Sequence, residues 1–437
     1  MLSFFTYLLP LAILCQWVMA LPPAVQISPN LKVGNLASVF DHTDKYPMPN
    51  AGNITAHDPN ILEHDNTFYM FKGGVHIPYY KATDLSGPWK EVGTVLSKDS
   101  IIPDRPNATR PWAPTTVEYK GKFYCFYSLS QAGSRKSAIG VASTEDITKG
   151  SWTDHGSLVV TGNDNQGSPY NVTNAIDPSF IVDQKTKTPY LNYGSYWHNL
   201  WQVELEDDLL SVKYNTNTTI EVSKKKGKND KNNKNDNKKN QVKGIENLKA
   251  TQLTFMPNRD NRPEEGSWMS FHDGYYYMWF SQGKCCDFEN GFPKKGDEYH
   301  IRVGRSKNIS GPFEDKDGND LRKGGGTTVY ASNHGLTYAP GGLGVLPGNG
   351  QRRDVLYYHY LDTRVGFKHA QAQLGWNYLD YDNGWPVASK NGNNDKKSGN
   401  KQATATAKAT TVITKATTST AKATQTNGSS KATATPQ

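Results

Sequence analysis

The sequence predicts an all-β fold, a five-bladed β-propeller, and three observations predict it. Short aromatic and β-branched runs alternate with Gly, Pro, Asn and Asp turns, while amphipathic helical periodicity is almost absent. The runs come in groups that return along the chain, the mark of a repeat architecture. An acid returns at a comparable place in three of the groups, in His57-Asp58-Pro59, Ile176-Asp177-Pro178 and Glu265-Gly266.

Residues 1–20 precede the repeats. Phe4, Phe5, Leu8, Leu9, Leu11, Ile13 and Leu14 form a short apolar run closed by Val18-Met19-Ala20, the pattern of a secretory signal peptide. The mature chain is expected to begin near Leu21 and to be secreted. No later stretch is apolar enough for a membrane span. Sequons at Asn53, Asn107, Asn171, Asn217, Asn308 and Asn427 fit a secreted glycoprotein.

The first unit, after Asp58-Pro59, reads Phe68-Tyr69-Met70-Phe71, then Tyr79-Tyr80-Lys81-Ala82, then Gly87-Pro88-Trp89. The second has Ala113-Pro114, Phe123-Tyr124-Cys125-Phe126-Tyr127 and Ile139-Gly140-Val141-Ala142. Asp177-Pro178, Tyr190-Leu191-Asn192-Tyr193 and Leu200-Trp201-Gln202-Val203 make the third. The fourth runs from Glu265-Gly266 through Tyr275-Tyr276-Tyr277-Met278-Trp279-Phe280 to Ile301-Arg302-Val303. The fifth is the weakest, with Gly341-Gly342, Val355-Leu356-Tyr357-Tyr358-His359-Tyr360 and Gly384-Trp385-Pro386.

A four-strand meander standing alone exposes its edges, and radial repetition covers them. Five units over residues 21–387 average roughly 69 residues once the insertion is removed, well above the ~40–45 of a WD40 blade, so long loops decorate one rim. A β-sandwich or paired jelly rolls would account for the strands but not for the returning Asp-Pro.

Residues 224–243 interrupt the third unit with nine Lys against Asp230 and Asp236, and are expected to form a disordered insertion. Beyond Val387, residues 388–437 turn to Thr, Ala, Ser and Lys, a disordered tail resembling an O-glycosylated stalk. Each segment carries a net charge of +7, so the chain's +8 leaves the remainder near −6. The basicity therefore belongs to the appendages, which suit anionic wall polymers rather than nucleic acid. Once Cys15 leaves with the signal peptide, Cys125, Cys285 and Cys286 remain, an odd number, and stability must rest on a large core.

Asp58, Asp177 and Glu265 stand at comparable places of their units, and in a propeller the turn entering each innermost strand lies at one mouth of the central channel. Three acids there suit glycosidic bond hydrolysis, which needs a proton donor for the leaving oxygen and a base for the attacking water.

At this point the sequence resembles the family 43 glycoside hydrolases, and among them the fungal endo-1,5-α-L-arabinanases. The resemblance rests on His57-Asp58-Pro59-Asn60-Ile61, Pro111-Trp112-Ala113-Pro114, Asn174-Ala175-Ile176-Asp177-Pro178, Asn192-Tyr193-Gly194-Ser195-Tyr196-Trp197, Glu265-Gly266, Cys285-Cys286, Pro340-Gly341-Gly342 and Gly384-Trp385-Pro386-Val387. It implies an inverting hydrolase of α-1,5-linked arabinan in pectin. Asp58 would be the general base and Glu265 the general acid, with Asp177 raising the pKa of the acid and orienting it. Glu264 adjoins Glu265, but the family places the acid directly before the Gly. Trp112 is a candidate sugar platform, and His57, Asn174, Ser195 and Trp197 are candidate substrate contacts.

Two departures from the family pattern stand out. Thr115-Thr116 follows Trp-Ala-Pro where members commonly carry Asp. The fifth unit has Pro340-Gly341-Gly342-Leu343-Gly344 where many arabinanases have a His that helps hold a central cation, so structural calcium is in doubt and no cofactor is expected to be required. His334 is the nearby loop histidine that could substitute. A disulfide between Cys285 and Cys286 is a further hypothesis, beside two reduced thiols or a pairing with Cys125. A monomer is expected. Two other functions stay open: an exo-acting α-L-arabinofuranosidase or β-xylosidase of the same fold, and a silent carbohydrate-binding propeller of the cell wall.

Overall fold

The computed structural model describes residues 47–48, 50, 54–163, 166–213 and 250–389. The expected signal peptide, the insertion 224–243 and the tail beyond Ser389 lie outside the described residues. The remainder forms five four-stranded antiparallel sheets, each a meander with its strands in sequence order. Blade one runs from the innermost strand Asn60–His64 to the outermost Lys90–Thr94, blade two from Trp112–Tyr119 to Thr153–Val160, and blade three from Ser179–Val182 to Ala250–Gln252. Blade four runs from Glu264–His272 to Thr327–Tyr330, and blade five from Thr337–Leu346 to Trp385–Ser389, two residues past the expected boundary.

Local sequence makes the hairpins. Asp65-Asn66, Lys120-Gly121, Asp273-Gly274 and Asn383-Gly384 are two-residue connections with both central residues at positive φ, the twist that matches right-handed strands. Each innermost strand packs against that of the next blade, and blade five's returns to blade one's, which closes the ring. The lead-in to blade one seals it: Met48 N–H donates to Trp376 O and Ala56 N–H to Ala372 O, both at 2.9 Å.

The core lies in the five seams between blades. Phe71 and Tyr79 meet Phe123 and Tyr127 between blades one and two. Phe126 and Val141 meet Leu191 and Tyr193 in the next seam, and Leu200 and Leu253 meet Met278 and Phe280 in the third. Trp279 and Val303 meet Leu343 and Tyr358 between blades four and five, while Leu346 and Tyr357 meet Ile61 and Met70 at the closure. Each such side chain contributes about 1.5–3 kcal/mol on burial, which makes disulfide support unnecessary. Among the described residues, no helix is long and apolar enough to cross a membrane. The described sequon residues Asn107, Asn171 and Asn308 are exposed.

Candidate active site

Each innermost strand has a residue in the left-handed region, just before it in blades one and three and within it in the other three: Asp58 (φ 47°), Ala113 (42°), Asp177 (56°), Gly266 (61°) and Gly342 (55°). These five residues line one pit at the centre of the ring. The repeat-equivalent residue of blade four is therefore Gly266, which corrects the expectation that Glu265 matches Asp58 and Asp177 position for position. Asp tolerates positive φ, and a Gly adopts it freely, so blade four gives the turn to Gly266 and supplies its acid from one residue earlier. A bulge between Glu265 and Trp268 accommodates the offset.

Asp58 is gripped by two histidines. Its Oδ2 lies 3.1 Å from His57 Nδ1, its Oδ1 lies 3.3 Å from His359 Nδ1, and its own N–H donates to that same nitrogen at 3.2 Å. Burial works to raise its pKa, yet the contacts with His57 and His359 outweigh burial and hold the carboxyl well below the usual range. Gly342 makes this packing feasible: a Cβ there would run into Asp58 Oδ1 and His359 Nδ1.

Asp177 and Glu265 carry the opposite displacement. Glu265 accepts a hydrogen bond from Ser195 Oγ at 2.8 Å, and Asp177 Oδ2 accepts from the Gly266 N–H at 2.9 Å. Burial, opposed by the Ser195 and Tyr299 hydroxyls and aided by the charge of Asp58, pushes Glu265 up to about 7. Burial and the neighbouring Glu265 raise Asp177 well above the ordinary value. The charge of Glu265 thus helps to raise Asp177, whereas the anion that helps burial to raise Glu265 is Asp58 and not Asp177, which corrects the expectation that Asp177 sets the pKa of the acid.

Glu264 points the other way. It is wholly buried, its Oε2 accepts from Thr254 Oγ1 at 2.9 Å, and burial pushes it up to about 7 outside the cavity.

Asp58, Asp177 and Glu265 open into a cavity of about 720 Å³ whose walls also include His57, Trp112, Asn174, Ser195 and Trp197. Every residue singled out from the sequence as a contact therefore reaches this cavity, although Asn174 Oδ1 is engaged by Ser137 Oγ at 2.7 Å and Ser195 holds Glu265. Thr115, where the family commonly has Asp, is buried and donates from Oγ1 to Pro178 O at 2.7 Å, tying blade two to blade three.

Sequence reasoning missed Tyr299, His359 and His369. Tyr299 is buried against Glu265, and His369 stacks on His57 with ring centroids 3.8 Å apart. A histidine inside the apolar run Tyr357-Tyr358-His359-Tyr360 was the available signal for His359. His334 is not the substitute: it lies 3.4 Å from Glu298. His57, Asp58 and His359 offer ligand atoms within 4.8 Å of one another, and the buried His359 Nε2 has no hydrogen-bond partner. Cys285 and Cys286 form a disulfide, and Cys125 is buried and free.

The profile of Glycosyl hydrolases family 43 matches residues 52–386. This chain belongs to glycoside hydrolase family 43. Among its family 43 relatives, the probable arabinan endo-1,5-alpha-L-arabinosidase D of Emericella nidulans is 48% identical over 83% of this chain and 87% of its own length. The arabinan endo-1,5-alpha-L-arabinosidase A of Aspergillus niger is 37% identical over 82% of this chain and 98% of its own. Of solved structures, the family 43 endo-arabinanase from Bacillus licheniformis aligns with a TM-score of 0.59 at 27% identity, covering 78% of this chain and 99% of that one.

Proposed function

We propose that this protein is a secreted, inverting, endo-acting hydrolase of α-1,5-linked L-arabinan, the side chain of pectin, acting as a monomer. The observation that carries this reading is the opposed displacement of acids within one cavity, Asp58 held anionic and Glu265 held protonated up to about 7. That is the division of labour that inversion needs. Water attacks the anomeric carbon while Asp58 takes its proton. The bond to the leaving oxygen breaks as Glu265 delivers its proton there. Asp177 binds the N–H of Gly266, the residue directly after Glu265, and so orients the acid, while burial and the charge of Asp58 keep Glu265 protonated.

The relatives, which are arabinan endo-1,5-alpha-L-arabinosidases by name, support arabinan as substrate and endo action. The short apolar run at residues 1–20 supports secretion. A ring closed within one chain supports a monomer. A cation here would draw on the cluster of His57, Asp58 and His359 and would supply a fixed positive charge beside the base.

The test is incubation of the purified protein with linear 1,5-arabinan, with products followed by size. A spread of short oligosaccharides is expected. Arabinose alone would make the enzyme exo-acting, and binding without products would make it a lectin.

A further inference from the structure

The Cys285–Cys286 disulfide has no evident task in holding its own loop. Backbone bonds already fix that segment: Gly283 N–H donates to Pro263 O, Lys284 N–H to Asp297 O and Tyr299 N–H to Lys284 O, each at 2.9 Å. Phe288, three residues on, is buried in a cluster with Tyr299 and Leu361, and Cys285 packs against that cluster. What the disulfide does have is a face on the catalytic cavity.

That face is continuous with the base. Cys286 Sγ lies 3.6 Å from His57 Nε2, and the His57 ring is stacked between His369, at 3.8 Å, and His359, at 4.0 Å. The other ring nitrogen of His57 meets Asp58 Oδ2 at 3.1 Å. A disulfide sulfur is soft and polarizable and packs well against C–H groups, as an aromatic face does. Trp112 and Trp197 line the same cavity from blades two and three, whereas the disulfide and His369 line it from blades four and five.

We propose that the Cys285–Cys286 disulfide and His369 together form a sugar-contact subsite, which receives one arabinofuranose ring of the chain on the blade-four and blade-five side of Asp58. It rests on the reading of this cavity as an arabinan-binding site. The disulfide is then a specificity element rather than a brace.

Bond-cleavage frequencies within single end-labelled 1,5-arabino-oligosaccharides test it, because comparing bonds of one molecule cancels any effect on the chemical step. The full-length protein is compared with the double variant Cys285→Ala/Cys286→Ala and with His369→Ala, whose side chain is exposed and whose loss leaves the core intact. Both variants are expected to shift the preferred bond in the same direction, with kcat/KM for the longer oligosaccharides down about fivefold, the scale of one polarizable contact. An unchanged cleavage pattern in His369→Ala, with wild-type protein active, would overturn the subsite and leave the arabinanase reading standing. Wild-type protein inactive on every oligosaccharide would overturn both.

Discussion

The backbone N–H of Gly266 donates to Asp177 Oδ2 at 2.9 Å, so the acid of blade three is tied to the residue directly after the acid of blade four. The bond exists because Gly266 takes the left-handed turn that Asp58 and Asp177 take in their own blades. The offset of Glu265 and the grip on Asp177 are therefore one feature.

Asp58→Asn and Glu265→Gln are each expected to lower kcat by about 10²–10⁴-fold, the usual worth of a positioned acid or base, while leaving oligosaccharide binding measurable by calorimetry. Glu264→Gln keeps the acceptor for Thr254 and faces away from the cavity, so its kcat should stay within about threefold of wild type. Near-normal turnover in Glu265→Gln would reassign the acid.

Activity should fall as pH rises through about 7, because Glu265 must hold a proton to protect the leaving oxygen from departing as an anion. The acid limb should lie below the ordinary carboxylate range of about 4, since Asp58 stays ionised there. A kcat/KM profile against pH reads both limbs, and a basic limb lying well above neutrality would exclude Glu265 as the acid.

Stability has its own pH dependence. Glu264 and Glu265 are raised from 4.5 to about 7 in the folded chain, so between those values the native state binds more protons than the unfolded one. The contribution of these two carboxyls must then decline as pH rises through that window, by up to about 3 kcal/mol per group, against the opposite slope from the histidines whose pKa burial lowers. Denaturant midpoints of wild type and Glu264→Gln compared across the window isolate the carboxyl's part, and a difference between the two that does not change with pH would mean that Glu264 is not raised by burial.

Gly342→Ala places a Cβ against Asp58 Oδ1 and His359 Nδ1 at a residue with φ 55°. The strain is expected to cost about 1–3 kcal/mol of stability, and displacement of the base about 10²-fold in kcat. Thermal unfolding and initial rates together check this, and a variant with wild-type kcat would show that Asp58 has room to spare.

Intact mass after alkylation should show Cys285 and Cys286 unmodified until reductant is added, and Cys125 unmodified until the chain unfolds. Labelling of Cys285 and Cys286 in untreated protein would break the pairing.

Much of this was legible in the sequence because it is local. A period of strands, a hairpin turn such as Asp273-Gly274 and an Asp placed before a Pro are set by a few neighbouring residues, so the five blades and two of the three acids could be read directly. Glu265 was found beside its Gly, but the pattern did not reveal that Gly266 and not Glu265 holds the repeat position, because φ at one residue is not written in a motif. The rest depended on contacts between distant parts of the chain. His359 reaches Asp58 across 301 residues and Cys286 reaches His57 across 229. Only ring closure brings such residues together, and it is burial plus those neighbours that lowers one carboxyl and raises another. The sequence by itself determined the propeller and the acids that face its channel; the tertiary structure decided which acid keeps its proton, because a pKa is a property of surroundings that no stretch of chain carries alone.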